Sequence, residues 1–374
     1  MHSSGSRNVV LIALAANSAI AIAKFAAAAW TRSSAMLSEA IHSLVDTSNQ
    51  ALLLYGLNRA RRPADAYHPF GHSREIYFWS FVVAVLLFSM GAGVSIYEGI
   101  EKLRDPHPIS DFWVNYTVLG IALALEGIST YKAVTTFNAK RDGRGWLAAL
   151  RASKDAALFT VVLEDIAAMS GLLIALFALI CVQLLGWEQA DAVASILIGM
   201  LLATVAAFMS IEVKGLLVGE AADAKVLTGI EAILRRAVGP RGPLIAINET
   251  RTMHLGPDDV LVAVSVDAID GLPAEEVERV TSELEGAIKA KYPEVRRLFI
   301  ETQSVAGHKA ALGAELSRAG HGRAKRKAPA ADAAAPPPPS RKAKKRAKKQ
   351  KAAVEPKVAE MPEAKPVERS DLSE

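Results

Sequence analysis

Apolar residues gather in six long runs, at 9–30, 35–57, 77–100, 112–134, 156–185 and 190–218. Each approaches or exceeds the ~20 residues that a helix needs to cross hydrocarbon. After residue 219 the pattern becomes that of a water-facing domain. Residues 223–238 carry amphipathic helical spacing, and 245–254 and 260–268 are β-rich runs joined by Gly256-Pro257-Asp258-Asp259, which predicts a hairpin. Residues 273–291 return to helical spacing. Pro273 stands near the first turn, and Glu275, Glu276 and Glu278 suit the positive N-terminal end of the helix dipole. A last strand is expected at 295–303. The order αββαβ defines a small α+β domain with its helices on one face of a sheet. Beyond Gly307 periodicity lapses into Ala, Pro and Lys. The pattern therefore predicts three parts: a six-span all-α membrane domain at 8–218, an α+β domain at 219–305, and a disordered basic tail at 306–374.

Composition agrees with this division. The chain has 374 residues, 51% of them hydrophobic, with a mean hydropathy of +0.22. The formal net charge of +4 misleads, because residues 322–374 hold 15 basic against 7 acidic residues. The body is acidic and the tail basic. Cys181 is the sole cysteine, which excludes an intramolecular disulfide and a cysteine-based zinc site. Arg59, Arg61, Arg62 and Arg74 follow the second run, and Lys140, Arg141, Arg144 and Arg151 follow the fourth. By the positive-inside rule these loops are cytoplasmic, and an even number of spans then places both termini there. Trp30, Trp113 and Trp187 stand at run ends, where interfacial aromatics are found. The first run, with one preceding Arg and no following A-x-A site in a polar context, reads as a membrane helix rather than a cleaved signal.

Ionisable residues inside apolar runs cost at least ~2.5–3.5 kcal/mol each on insertion scales, so they mark candidate chemistry. His42 and Asp46, four residues apart, leave one helix face a turn apart. They suit half of a metal site; the competing reading is a helix-contact histidine hydrogen-bonded to its neighbouring carboxylate. Glu164 and Asp165 in the fifth run lie about 100° apart on a helix, so at least one faces the bundle interior. Glu126 divides between packing and an ion path. Lys24, Glu98 and Asn17 have ordinary explanations in snorkelling, interfacial position and helix bridging. Asp65, His68 and His72, between the second and third runs, bring one carboxylate and two imidazoles together if the segment turns.

The stretch SSAMLSEAIHSLVD, followed by RPADAYHPFGHSREIYFW, resembles the signature of the cation diffusion facilitator family, the zinc-transporter solute carriers, over about residues 8–304. KDAALFTVVLEDIAA and RTMHLGPDDVLVAV are most similar to the subgroup of the ninth human zinc transporter and its bacterial relatives. The resemblance implies six spanning helices, a cytoplasmic ferredoxin-like domain, a homodimer, and export of a divalent metal, zinc foremost, in exchange for protons. Carried over by position, His42 and Asp46 match the second-helix half of the transport site, and Asp165 matches the acid of the fifth helix. Val161 fills the position where many members have histidine, so Glu164 is a candidate replacement ligand. Loss of one imidazole makes the site richer in oxygen and opens manganese, iron and cobalt as cargo. Asp65, His68 and His72 match a loop metal site of bacterial members. In the α+β domain Asn248, Ser265, Glu301 and Gln303 replace the His and Asp of members that bind metal there, and His254 is a lone strand-end histidine.

Taken together, the expected function is divalent-cation transport, with the ion as cargo, no prosthetic group, and proton, bilayer and a second copy as partners. An intramembrane metalloenzyme lacks a His-Glu-x-x-His or a nucleophile beside His42. A metal-binding scaffold with a functional tail is the other rival. The tail's RKAKKRAKKQK run at 341–351 reads first as a solvated stretch, second as a contact for anionic lipid; nucleic acid is not expected. The Ala- and Arg-rich composition favours a bacterial inner membrane.

Overall fold

The computed structural model describes residues 3–31, 34–105, 112–141, 143–239 and 242–319. The chain folds into a helical bundle followed by a small sheet domain. Helices α1 (Ser3–Thr31), α2 (Ser34–Arg59), α5 (Phe112–Lys140), α7 (Ala156–Leu185) and α8 (Gln189–Val218) are continuous. α3 (Glu75–Leu86) and α4 (Gly93–Arg104) join through a π-helical segment, Leu87–Ala92, into one 30-residue rod.

Five of these rods, among the described residues, are long and apolar enough to cross a membrane. The expectation of six apolar runs meets its exception at α2. That helix has 26 residues, but His42, Asp46, Asn49 and Gln50 fall along it, so its mean apolarity is too low. The same polar residues that weaken it as a hydrocarbon-spanning segment give it candidate chemistry.

Packing follows where small residues permit. At the α4–α8 crossing, a Cβ built on Gly99 would stand 2.7 Å from Ile196 Cγ1 and 2.9 Å from the Ala192 carbonyl oxygen. On the partner helix, a Cβ on Gly199 would lie 2.5 Å from Ile96 Cγ1. The two backbones touch because neither glycine has a side chain, which is how close helix pairs form without a hydrophobic driving force. Lys102 and Asp191 close that pair at 2.8 Å. The main bundle core is built by Val9 and Val10 of α1, Leu53 of α2, Tyr77 and Val83 of α3, and Leu158, Phe159, Val161 and Val162 of α7.

A seven-residue helix, α6 (Trp146–Ala152), lies between α5 and α7. The sheet domain then runs α9 (Ala224–Arg236), β1 (Leu244–Gly256), β2 (Asp259–Ala268), α10 (Ala274–Lys291) and β3 (Val295–Thr302). β1 and β2 form the expected antiparallel hairpin, its turn closing Gly256 onto Asp259. β3 returns through α10 to pair parallel with β2, giving the order β1-β2-β3. Every second residue of β2, Val260, Val262, Val264 and Val266, is buried against Ile230 and Leu234 of α9 and Val280, Leu284 and Ile288 of α10. Helical order persists past Gly307: α11 (Val305–Ala319) occupies residues expected to be disordered. Its alanines and leucine are strong helix formers even without a regular apolar stripe. The rest of the tail lies outside the described residues.

Candidate metal sites

Two groups of ionisable side chains emerge, one inside the bundle and one in the loop between α2 and α3. In the bundle, Glu164 and Asp165 are both buried, 6% and 1% exposed, and they part company. Glu164 faces α2, where Gln50 Nε2 donates to its Oε2 at 2.7 Å and Asn49 Nδ2 to its Oε1 at 3.2 Å. Asp165 faces α5, where Ser129 Oγ donates to its Oδ2 at 2.7 Å. Adjacent residues diverge because each helical step turns about 100°.

Several oxygens here have no hydrogen-bond partner among the described residues: Asp165 Oδ1, Asn49 Oδ1 and Gln50 Oε1. A buried acceptor without a donor is costly, so each of these oxygens is a place that a cation or a proton would relieve. Glu126 of α5 is also buried and lies within electrostatic range of Asp165, Asp46 and Lys24. Of the charges around Glu164, Asp46 bears on it most strongly, followed by Asp165. The acids of α2, α5 and α7 thus converge on one region. His42 stands on α2 one turn before Asp46, and its side chain lies outside those described. Val161 is fully buried in core packing and offers no ligand.

The second group is tighter. Among the described residues, Asp65, His68 and His72 form the one set of three or more His, Cys, Asp or Glu ligand atoms within 4.8 Å of one another. The backbone builds it. Asp65 Oδ1 accepts the Tyr67 and His68 N–H groups at 2.9 and 2.7 Å, an Asx-type turn that folds the segment back. Gly71, at φ 77°, then supplies a left-handed turn that returns His72 beneath Asp65. His68 Nδ1 lies 3.1 Å from Asp65 Oδ1, His72 Nε2 3.5 Å from Asp65 Oδ2, and the two imidazole centroids are 4.3 Å apart.

His72 Nδ1 stands 3.2 Å from the Pro63 carbonyl oxygen. A carbonyl only accepts, so Nδ1 is the donor in this contact and Nε2 is left facing Asp65. A backbone carbonyl fixing the tautomer is the usual support of a metal-binding histidine. Asp65 is held below the usual carboxylate range, first by the His68 N–H. Two nitrogens and an oxygen with an open side fit a tetrahedral ion completed by water.

The sheet domain has no comparable centre among its described residues. His254 Nδ1 lies 3.1 Å from the Gly256 carbonyl, and burial pushes its imidazole down, as expected of a structural histidine. Asn248 bonds Ser265 and the Gln303 carbonyl. Sequence reasoning missed Asn49, Gln50 and Ser129; the signal was amide and hydroxyl residues at i+3 and i+4 from Asp46 and beside Glu126.

With this geometry in view, residues 10–218 match the model of the cation efflux transmembrane domain, and the chain belongs to the cation efflux family. It is 32% identical over 265 residues to the mitochondrial proton-coupled zinc antiporter SLC30A9 of Homo sapiens, covering 70% of this chain and 46% of that protein. Over 209 residues it is 34% identical to metal tolerance protein C4 of Arabidopsis thaliana, covering 55% of this chain and 46% of that one. The metal cation efflux system protein CzcD of Cupriavidus metallidurans is 27% identical over 199 residues, 53% of this chain and 58% of that protein. The chain spans about half the length of the curated relatives it matches.

Proposed function

We propose that this chain is a divalent metal cation transporter, a zinc/proton antiporter that exports the ion from the cytoplasm by alternating access. It is not an enzyme, and the metal is cargo rather than a resident cofactor. In this reading six helices span, α2 among them because its polar face is turned to the bundle interior, and both termini are cytoplasmic in a bacterial inner membrane. The sheet domain at 219–305 is ferredoxin-like and joins two copies. His42, Asp46 and Asp165 hold the ion, and Glu164 is the reserve ligand drawn toward α2. Asp65, His68 and His72 hold a second ion at the loop.

The observation that carries the reading is Asp165: a carboxylate 1% exposed, with one oxygen bonded to Ser129 and the other without a donor among the described residues, in a family named for cation efflux. Protons compete with metal for such ligands, so binding one releases the other. The names of two relatives, a proton-coupled zinc antiporter and a cation efflux protein, point the same way. The oxygen-rich donor set, with Val161 in place of an imidazole, favours manganese, iron or cobalt as the alternative cargo.

Metal-driven proton flux in proteoliposomes tests this, comparing Zn, Mn, Fe, Co and Cd for wild type, Asp46→Ala and Asp165→Asn. Flux with at least one metal, lost in both variants, is expected. No flux with any metal from folded wild-type protein overturns transport and leaves a membrane-anchored metal-binding scaffold. Undiminished flux in Asp165→Asn overturns the site assignment. Removing residues 322–374 is expected to leave flux intact.

A further inference from the structure

A cavity of about 310 Å³ lies where the loop after α2 meets the edge of the sheet domain. Its walls are of two kinds. Leu57 of α2 and Ile76 of α3 belong to its lining but are buried, 8% and 1% exposed, whereas Arg61, Arg62 and Arg296, all exposed, supply its charge. These arginines come from both domains, the first two from the segment following α2 and the third from β3.

The acids of the lining are mostly committed. Asp155 accepts from Lys140 at 2.8 Å and from Ser6; Asp259 accepts from Arg297 at 2.5 Å and from Ser73 at 2.9 Å. Among the described residues none of Arg61, Arg62 and Arg296 has a side-chain partner, and they face one remaining acid, Asp258. Two domains thus bring surplus positive charge to the lining of one cavity. Like charges so placed repel, and an anion between them turns that repulsion into a bridge. Guanidinium groups match phosphate oxygens bidentately, and basic pockets at the ends of membrane helices suit phospholipid headgroups.

We infer that this cavity binds a phosphate group, the chemistry shared by an anionic phospholipid headgroup and free phosphate, held by Arg61, Arg62 and Arg296. The ligand clasps the sheet domain to the membrane helices. The cavity uses none of the metal-ligating side chains, though Pro63 and Gly71, which shape the loop site, also line it, and its test does not depend on transport.

The experiment uses full-length protein in nanodiscs of phosphatidylcholine and in nanodiscs that also contain phosphatidylglycerol, with retained lipid counted by native mass spectrometry. Added inorganic phosphate is the second arm. Wild type is expected to retain phosphatidylglycerol selectively. Arg61→Gln/Arg62→Gln/Arg296→Gln is expected to weaken retention roughly hundredfold, and exposed Arg296→Gln alone ~fivefold, at about 1 kcal/mol per surface basic residue. The single variant serves if the triple variant misfolds. Selective lipid retention that phosphate does not displace identifies the headgroup. Displacement by phosphate, or phosphate binding lost in the variants, identifies the free anion. Retention equal in wild type and variants, with no phosphate effect, overturns the inference.

Discussion

Buried polar side chains carry most of the information at the scale of single residues. Glu164 sits on the face of α7 turned to α2 and is held there by two amide donors. Gln50→Leu removes the shorter of those bonds and leaves a buried carboxylate oxygen without a donor, a loss of ~1–3 kcal/mol. Thermal unfolding in detergent is expected to show it, while Ser48→Ala on the exposed side of the same helix, where the hydroxyl only bonds the Leu44 carbonyl, stays within about 0.5 kcal/mol of wild type. An unchanged midpoint in Gln50→Leu means that Glu164 finds another donor. The candidate acids themselves were legible in the sequence, since charge inside an apolar run is conspicuous. Their partners were not, because Asn49, Gln50 and Ser129 look like ordinary helix-bridging residues until α2, α5 and α7 are brought together.

Among whole elements, the apolar runs mapped onto helices well because twenty consecutive apolar residues admit few structures. The hairpin, too, was written in its turn residues, Gly256 to Asp259. What the runs concealed was interruption and contact: the π-helical segment at Leu87–Ala92, and the glycine crossing of α4 and α8. Neither Gly99 nor Gly199 is distinguishable in sequence from Gly120, yet a Cβ on Gly120 meets nothing within 4 Å. Gly99→Val is therefore expected to cost ~1–3 kcal/mol or more by forcing the helices apart. Gly120→Ala, in open space on α5, is expected to be neutral or to stabilise by ~0.5–1 kcal/mol through helix propensity. Equal effects of the two substitutions in a chemical-denaturation series would show that the α4–α8 crossing yields without cost.

At the scale of the molecule, the sheet domain is tied to the helical bundle by side chains rather than by an apolar interface. Arg297, itself paired with Asp259 inside the sheet domain, donates to the Phe70 carbonyl at 2.7 Å; Ser73 donates to Asp259 at 2.9 Å, Lys154 pairs with Glu220, and Arg144 pairs with Asp223 at 2.5 Å. Long-range pairing of this kind was invisible in the sequence, where these charges looked like solvated loop residues and orientation signals. The ties also explain why the loop site is well formed: Phe70, gripped by Arg297, lies between His68 and His72. Such a linkage depends on pH in a definite sense. Partial burial pushes the Asp223 carboxyl up, but the Lys225 N–H and the Arg144 guanidinium outweigh it and hold the group below its ordinary 3.8. A folded-state value lower than the unfolded one adds stability that is complete above that ordinary value and is lost as pH falls through the folded value. Asp223→Asn keeps the helix cap, because asparagine caps as well as aspartate, but removes the charge. At neutral pH the variant is expected to be less stable by no more than ~1 kcal/mol, since solvent screens a half-exposed pair. The gap between variant and wild type is expected to close as pH drops below 3.8. A gap that persists in acid, measured by unfolding midpoints across that range, would mean that Asp223 acts through its shape and cap rather than through its charge.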